Sequence, residues 1–293
     1  MLIAQLAINS VALGAAYALI ALGFVLVLNA TTAVNFAHGE AVVAGGFLAV
    51  ALATMVPADT VPGIVLLPAV LLAMAAFGVA LAWLAYVPLR NRPPVAVFVS
   101  TIAVGIVVAN SLNDIFGAAP HAGPPLFGGG QVTLGPLAVG SQALATIAIA
   151  GLLLGATGLL LTRSQLGRRL RACAQDPEMA RAVGIDLGRM TLVAFALATA
   201  LAGAAGLMLA NQFFVTAHDG GGLMLKAYIA VVIGGWGSLR GAAAGALLIA
   251  VFEVFVAAAL SQPVAEGLLY LVLFAVLALR PQGLFGEAAQ RRA

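Results

Sequence analysis

Of the chain's 293 residues 63% are hydrophobic and 8% charged, against roughly 25% charged residues in an ordinary soluble domain. So few charges exclude a water-facing globular surface and make lipid the expected solvent. The formal net charge of +3 informs mainly by its placement, and a single cysteine, Cys173, excludes an internal disulfide framework and a thiolate metal cluster.

Apolar stretches near or above the ~20 residues needed to cross a bilayer run over about 2–28, 62–87, 95–113, 137–161, 191–211 and 266–280, the last one short. Two further stretches, about 33–56 and 226–260, are hydrophobic but broken by glycine, histidine or charge. The first Lys or Arg is Arg90. The amino-terminal segment therefore lacks the positive n-region of a cleavable signal, is too long for its apolar core, and reads as a retained span. The expected fold is a single all-α polytopic membrane domain over 1–293, with about eight or nine transmembrane helices, some short or broken.

Arg163, Arg168, Arg169, Arg171, Arg181 and Arg189 crowd one polar connection, about 162–190, opposed only by Asp176, Glu178 and Asp186. The bias of positive loops toward the cytoplasm puts this connection inside. Alternation then places Arg90 and Arg92 inside, the 114–136 loop outside, and the 281–293 tail with Arg291 and Arg292 inside. The amino terminus falls outside. If 226–239 and 241–260 are separate crossings, their joint at Arg240 is also inside. Twelve of the thirteen Lys and Arg are then cytoplasmic, leaving Lys226 at the outer surface.

Within the spans, Gly151/Gly155 and Gly241/Gly245 set small residues on one helix face, where backbones approach closely in lipid. Ordinary packing and a thin helix beside a path or partner subunit both require such contact. Asn35-Phe36-Ala37-His38-Gly39-Glu40 and Gly234-Gly235-Trp236-Gly237-Ser238-Leu239-Arg240-Gly241 are polar, flexible joints, each followed by a small-residue helix. Interrupted spans in corresponding halves point to a substrate path and to a distant internal duplication. Gate or path candidates are thus Asn35, His38, Gly39, Glu40, Gly234, Gly235, Gly237, Ser238 and Arg240, shaping the cytoplasmic mouth. Glu253 joins them as an ionisable residue inside a span, where it must be paired, protonated or facing water. Lys226, on an antiparallel neighbour, is its candidate ion-pair partner. No second histidine stands at helical spacing from His38, and His121 and His218 fall in outer loops, so no metal site is expected. Ser238 lies in Gly-Ser-Leu-Arg-Gly, which is not a nucleophile elbow.

In the basic loop, Asp176 suits an N-cap, Pro177 the first helical position, Glu178 the positive end of the dipole and Gly184 a left-handed stop. This predicts a two-turn helix outside the bilayer, with Met179, Ala180 and Val183 on one apolar face and Arg181 beside it. So short a helix is marginal alone. A permanent partner surface and a loop resting on lipid headgroups through its arginines are both compatible with it.

Tyr17-Ala18-Leu19-Ile20-Ala21-Leu22-Gly23, the Asn35–Glu40 segment, and Arg171-Ala172-Cys173-Ala174-Gln175-Asp176 followed by Met179-Ala180 and Gly184-Ile185 form a recognisable series. Lys226-Ala227, Gly234-Gly235-Trp236-Gly237-Ser238 and Arg280-Pro281-Gln282-Gly283-Leu284-Phe285-Gly286 continue it. Over nearly its whole length the chain resembles the permease subunits of branched-chain amino acid ABC transporters, in particular the shorter, H-type member of their paralogous pair. The resemblance implies a non-enzymatic subunit of a bacterial cytoplasmic (inner) membrane importer. A periplasmic or extracellular binding protein delivers substrate to two different permeases, and two cytoplasmic ATPases that bind ATP and Mg drive alternating access. No cofactor is expected in this chain, and no nucleic acid among its partners. It contains no Gly-x-x-x-x-Gly-Lys-Ser/Thr, so hydrolysis is expected in another subunit. The ATPase-coupling residues implied are Arg171, Asp176, Pro177, Glu178, Met179, Ala180, Arg181, Val183 and Gly184. The contrasting reading is a self-sufficient ion-coupled carrier or channel using Glu40 and Glu253.

Overall fold

The computed structural model describes residues 2–55, 62–128, 130–134, 137–280 and 282–285. Arg291 and Arg292, with most of the 281–293 tail, lie outside the described residues. The helices are α1 (Leu2–Thr31), α2 (His38–Thr54), α3 (Leu67–Leu81), α4 (Pro94–Phe116), α5 (Ser141–Arg163) and α6 (Gln165–Gln175), then α7 (Pro177–Ala182), α8 (Leu187–Phe213), α9 (Gly220–Gly234), α10 (Leu239–Ala259) and α11 (Gln262–Leu279). Strands β1 (Gln131–Leu134) and β2 (Leu137–Gly140) form one antiparallel hairpin. Among the described residues seven helical stretches are long and apolar enough to cross a membrane, while α2 and α9 are apolar but shorter. The chain is thus an all-α polytopic membrane protein.

Helix α1 is the hub, packed by α5, α8, α9 and α10. It is apolar on every side, the pattern of a helix enclosed by others, and the residues from Ala12 to Leu28 are buried. Small residues set the approach of its neighbours: a Cβ on Gly23 would stand 2.8 Å from both Ala198 O and His38 Cε1. Gly45 likewise meets Gly203, and Gly206 meets Val42 O, at the α2–α8 crossing. Between α3 and α8, the buried Thr199 hydroxyl lies 2.8 Å from both Met74 O and Phe195 O. Dispersion between closely fitted backbones replaces the hydrophobic drive that lipid removes.

Several boundaries differ from the sequence expectation. The apolar run from 137 does not begin a span: 137–140 pairs in the hairpin and α5 starts at Ser141. The late stretch breaks at Gly235–Ser238 rather than at Arg240, because Gly235 (φ 115°) and Gly237 (φ 79°) take left-handed conformations that end α9. The Ser238 hydroxyl then caps α10 by accepting from Gly241 N. Arg240 therefore belongs to the first turn of α10. Lys226 lies in the second turn of α9, since Gly220–Gly222 join that helix. Gly241 and Gly245 meet Gly234 and Ala230 on α9, whereas Gly151 and Gly155 meet nothing among the described residues.

The 114–136 connection is pinned across its described residues. His121 pairs with Val215 in an antiparallel bridge, Gly123 N donates to Ala210 O at 2.9 Å, and Gly63 N donates to Pro125 O at 2.8 Å. Asn211 Nδ2 also donates to Gly123 O at 2.8 Å.

Candidate functional site

The chain reverses after α1 and re-enters the bundle before α2 begins. Thr32 adopts φ 54° and its N–H donates to Leu28 O. Asn35 Oδ1 accepts from Ala37 N at 3.1 Å, and the buried Thr101 hydroxyl accepts from Phe36 N at 3.2 Å. The fully buried His38 has Nε2 3.0 Å from Ile20 O, which makes Nε2 its donor nitrogen. Ile20 precedes the end of α1 by eleven residues, about 16 Å of helix rise. Helix α2 therefore starts beside the middle of α1, and Asn35–Glu40 lies inside the bundle rather than at a mouth.

The start of α9 meets the start of α2. Gly39 packs on Gly220 O, and the Glu40 carboxyl lies against Gly220 so closely that a Cβ there would overlap it. Asp219 leaves α9 without a side-chain cap, because its Oδ2 accepts from Thr216 N at 2.7 Å instead. Beside this junction a cavity of about 380 Å³ is lined by Phe36, Glu40, Ile102, Gly105, Ile106, Ala109, Asn110, His218 and Gly221. A second, of about 290 Å³, shares Phe36 and Gly221 and adds Met224, Leu225 and Tyr228. Of the path candidates read from the sequence, Glu40 lines the first cavity, while Asn35, His38 and Gly39 hold the turn that presents it. Sequence reasoning missed Gly220–Gly222, whose signal was three consecutive glycines after an aspartate.

The other joint, Gly234–Arg240, sits at the far end of α9. Asn29 Nδ2 donates to Gly237 O at 3.0 Å, tying the joint to the last turn of α1. The carboxy-terminal motif folds onto it: Leu284 N donates to Ile233 O at 2.8 Å and Phe285 N to Gly234 O at 2.9 Å. Trp236 packs edge-on against Phe24 and Tyr228. The two joints paired from the sequence are thus not brought together. Asn35–Glu40 meets Asp219–Gly221 instead, because α9 begins earlier than its apolar residues alone indicate.

Lys226 and Glu253 form an ion pair of 2.7 Å. Tyr17 OH donates to Glu253 Oε2 at 3.1 Å and accepts from Lys226 Nζ at 3.1 Å. Gln262 Nε2 reaches Glu253 Oε1 at 2.7 Å, and Glu266 lies 3.3 Å from Lys226 Nζ. This cluster ties α1, α9, α10 and α11 together. Glu253 is enclosed by it and lines neither cavity described above.

The polar connection contains two helices where one was expected. Helix α6 is capped by Ser164, whose hydroxyl accepts from Gly167 N at 2.9 Å, and it buries Gly167, Leu170 and Cys173. Burial raises the Cys173 thiol above its ordinary value, so it serves as a packing group. Asp176 Oδ1 caps α7 by accepting from Glu178 N at 3.0 Å and Met179 N at 2.9 Å. Gly184 (φ 83°) closes it, with Ile185 N donating to Ala180 O and Gly184 N to Arg181 O, the paired bonds of a Schellman stop. Ala180 is buried, whereas Met179 is 62% and Val183 69% exposed. The apolar face drawn from the sequence is therefore split: one residue anchors α7 and two point outward. Arg90 approaches Gly188 at the start of α8, placing it at the same end as this loop.

Comparison with known proteins agrees with this architecture. Residues 6–277 match the family model described as branched-chain amino acid transport system / permease component. The high-affinity branched-chain amino acid transport system permease protein BraD of Pseudomonas aeruginosa is 32% identical, over 97% of this chain and 95% of its own. The permease protein LivH of Escherichia coli (strain K12), which carries the same description, is 32% identical over 95% of this chain and 94% of its own. A probable LivH of Methanocaldococcus jannaschii is 25% identical over 92% and 88%.

Proposed function

This chain belongs to the family of branched-chain amino acid transport system permease components, and from that premise we propose that it forms one half of the translocation path of an ATP-driven importer. The substrate is a branched-chain or related hydrophobic amino acid. A second, paralogous permease forms the other half, and a periplasmic or extracellular binding protein delivers the substrate. Two cytoplasmic ATPases bind ATP and Mg and drive the cycle. The chain sits in the cytoplasmic membrane with its amino terminus outside and its carboxy terminus inside.

The observation that carries the coupling part is α7, six residues capped at both ends, seated through Ala180 and offering Met179 and Val183 to a partner. A single turn and a half has little intrinsic stability. Its double capping keeps it rigid enough to pass a push from a docked ATPase to α6 and α8, which it joins. Arg171 and Arg181 supply the flanking charge, with Pro177 and Glu178 setting the first turn.

The test is reconstitution. Proteoliposomes holding the two permeases and the two ATPases are expected to accumulate radiolabelled leucine only with ATP inside and loaded binding protein outside. Uptake by the permease chain alone, driven by an ion gradient, would establish the self-sufficient carrier instead.

A further inference from the structure

We propose that the Glu40 carboxylate is a substrate subsite within the path, recognising the α-ammonium group of the passing amino acid while its apolar side chain rests on Phe36, Ile102 and Ile106. The inference rests on the importer reading above and adds the residue that reads the charge of the substrate.

Three independent features meet at this residue. The first is the cavity, whose volume of about 380 Å³ falls in the range of small-molecule pockets, roughly 300–1,000 Å³. Its walls are mainly apolar, and its titratable lining residues are Glu40 and His218, with Asn110 opposite on α4. Such walls with a few convergent polar groups suit an aliphatic amino acid.

The second is the state of the carboxylate. Among the described residues Glu40 Oε2 is buried and accepts no hydrogen bond, although a buried acceptor without a donor is costly and native interiors rarely tolerate it. Lys226, the cation of α9, is committed to Glu253 and Glu266. Asp219 immediately precedes Gly220, on which the Glu40 carboxyl lies, so a second acidic side chain stands at this junction and favours a cationic ligand group. An ammonium supplies three donors and a positive charge, which this oxygen lacks.

The third is polarity along the cavity. Gly220–Gly222 open α9, and the first N–H groups of a helix have no intrahelical partner. Gly220 lies against the Glu40 carboxyl and Gly221 lines the same cavity, and N–H groups at such a helix start suit the carboxylate end of the same zwitterion. The absence of a Cβ at Gly221 leaves that backbone open to the cavity it lines.

The experiment uses the complete transporter carrying Ile106→Cys in a Cys173→Ser background, which leaves one cysteine in this chain, at the cavity wall, whose maleimide labelling is followed on this subunit's band. Leucine at about nine times its half-saturating concentration is expected to slow labelling about tenfold, as simple occupancy requires. Leucinol, which keeps the ammonium and lacks the carboxylate, also protects. The desamino analogue 4-methylpentanoate does not. With Glu40→Gln added, leucine protection is lost, and with Glu40→Asp it is retained at higher concentration. Protection by 4-methylpentanoate equal to that by leucine overturns the proposal, and because it is read with Glu40 in place it does not depend on the folding of any Glu40 variant. Undiminished protection in the folded Glu40→Gln transporter overturns it as well. ATP-driven uptake by the unaltered transporter is measured in parallel: its absence sinks the importer reading, whereas normal uptake with protection indifferent to the ammonium sinks this inference alone.

Discussion

Replacing Lys226 by methionine tests what the buried charge cluster contributes, because it leaves the Glu253 carboxylate facing two neutral donors. The Glu253 side chain is 3% exposed and that of Lys226 16%, so water cannot replace the lost ammonium. Removing one partner of such a pair costs about 3–5 kcal/mol. Glu253→Gln is expected to cost less, about 1–3 kcal/mol, because Lys226 keeps Glu266 at 3.3 Å and the new amide oxygen still accepts from Tyr17 or Gln262. The double variant should lose less than the sum of the two, the shortfall being a coupling energy on the order of 0.5–3 kcal/mol. At about 2–4 °C per kcal/mol for a chain of this size, Lys226→Met lowers the melting temperature by roughly 6–20 °C. The assay is thermal unfolding in detergent read with a thiol-reactive fluorogenic dye, since the only cysteine, Cys173, is buried. A Lys226→Met melt unchanged from the parent refutes the reasoning, and so does a Glu253→Gln variant less stable than Lys226→Met.

The other structural assignments carry their own outcomes. Gly283 has φ 72°, and a Cβ on it would stand 2.6 Å from Gly235 N; Gly283→Ala should therefore cost about 1–3 kcal/mol in the same melt, and an unchanged melt would show that the tail does not hold the end of α9. Asp176→Ala removes the acceptor of two N–H groups and should cost α7 about 0.5–2 kcal/mol. That loss is local, visible as faster amide hydrogen exchange over 178–183, and equal exchange in both proteins contradicts the capping role. Met179→Asp lies on an exposed site and should shift stability by less than about 0.5 kcal/mol, yet it should abolish co-purification of the ATPase subunits; their full retention argues against docking through α7.

The residues that were legible in advance follow local rules. Asp176 and Gly184 announced α7 because capping depends on single side chains and a single φ, and the long apolar runs announced α1, α3, α4, α5 and α8 because crossing lipid leaves no other composition. The start of α9 was not legible. Gly220–Gly222 carry no apolar signal, and the contact that marks the helix start, Gly39 and Glu40 against Gly220, comes from α2, distant in sequence. Helix α6 was legible in principle, since Leu166, Leu170 and Cys173 recur at spacings of four and three among arginines. The dense arginines around it give the segment a polar composition that masks that period. Glu253 and Lys226 were each visible as charges in apolar surroundings. Tyr17, Gln262 and Glu266 come from helices α1 and α11, and tertiary packing alone assembles them with the pair.

The two short helices explain why the cavity lies where it does. A helix that begins inside a bilayer leaves its first N–H groups without intrahelical partners, and lipid offers none. Such a start is tolerable only if protein groups or a water-filled space meet it. Helices α2 and α9 both begin inside the bundle, and their starts lie against each other: Gly39 on Gly220, Glu40 beside the same residue. Glycine at both contacts is what lets the two backbones come so near, since a Cβ on either would overlap the other chain segment. The Glu40 carboxyl lies against Gly220 at the start of α9, and among the described residues its buried Oε2 has no donor. Breaking two helices at one place concentrates the unsatisfied polar groups that lipid forbids, and the proposed zwitterionic substrate would supply what those groups lack. The same breaks in a chain without a path would leave that cost uncompensated.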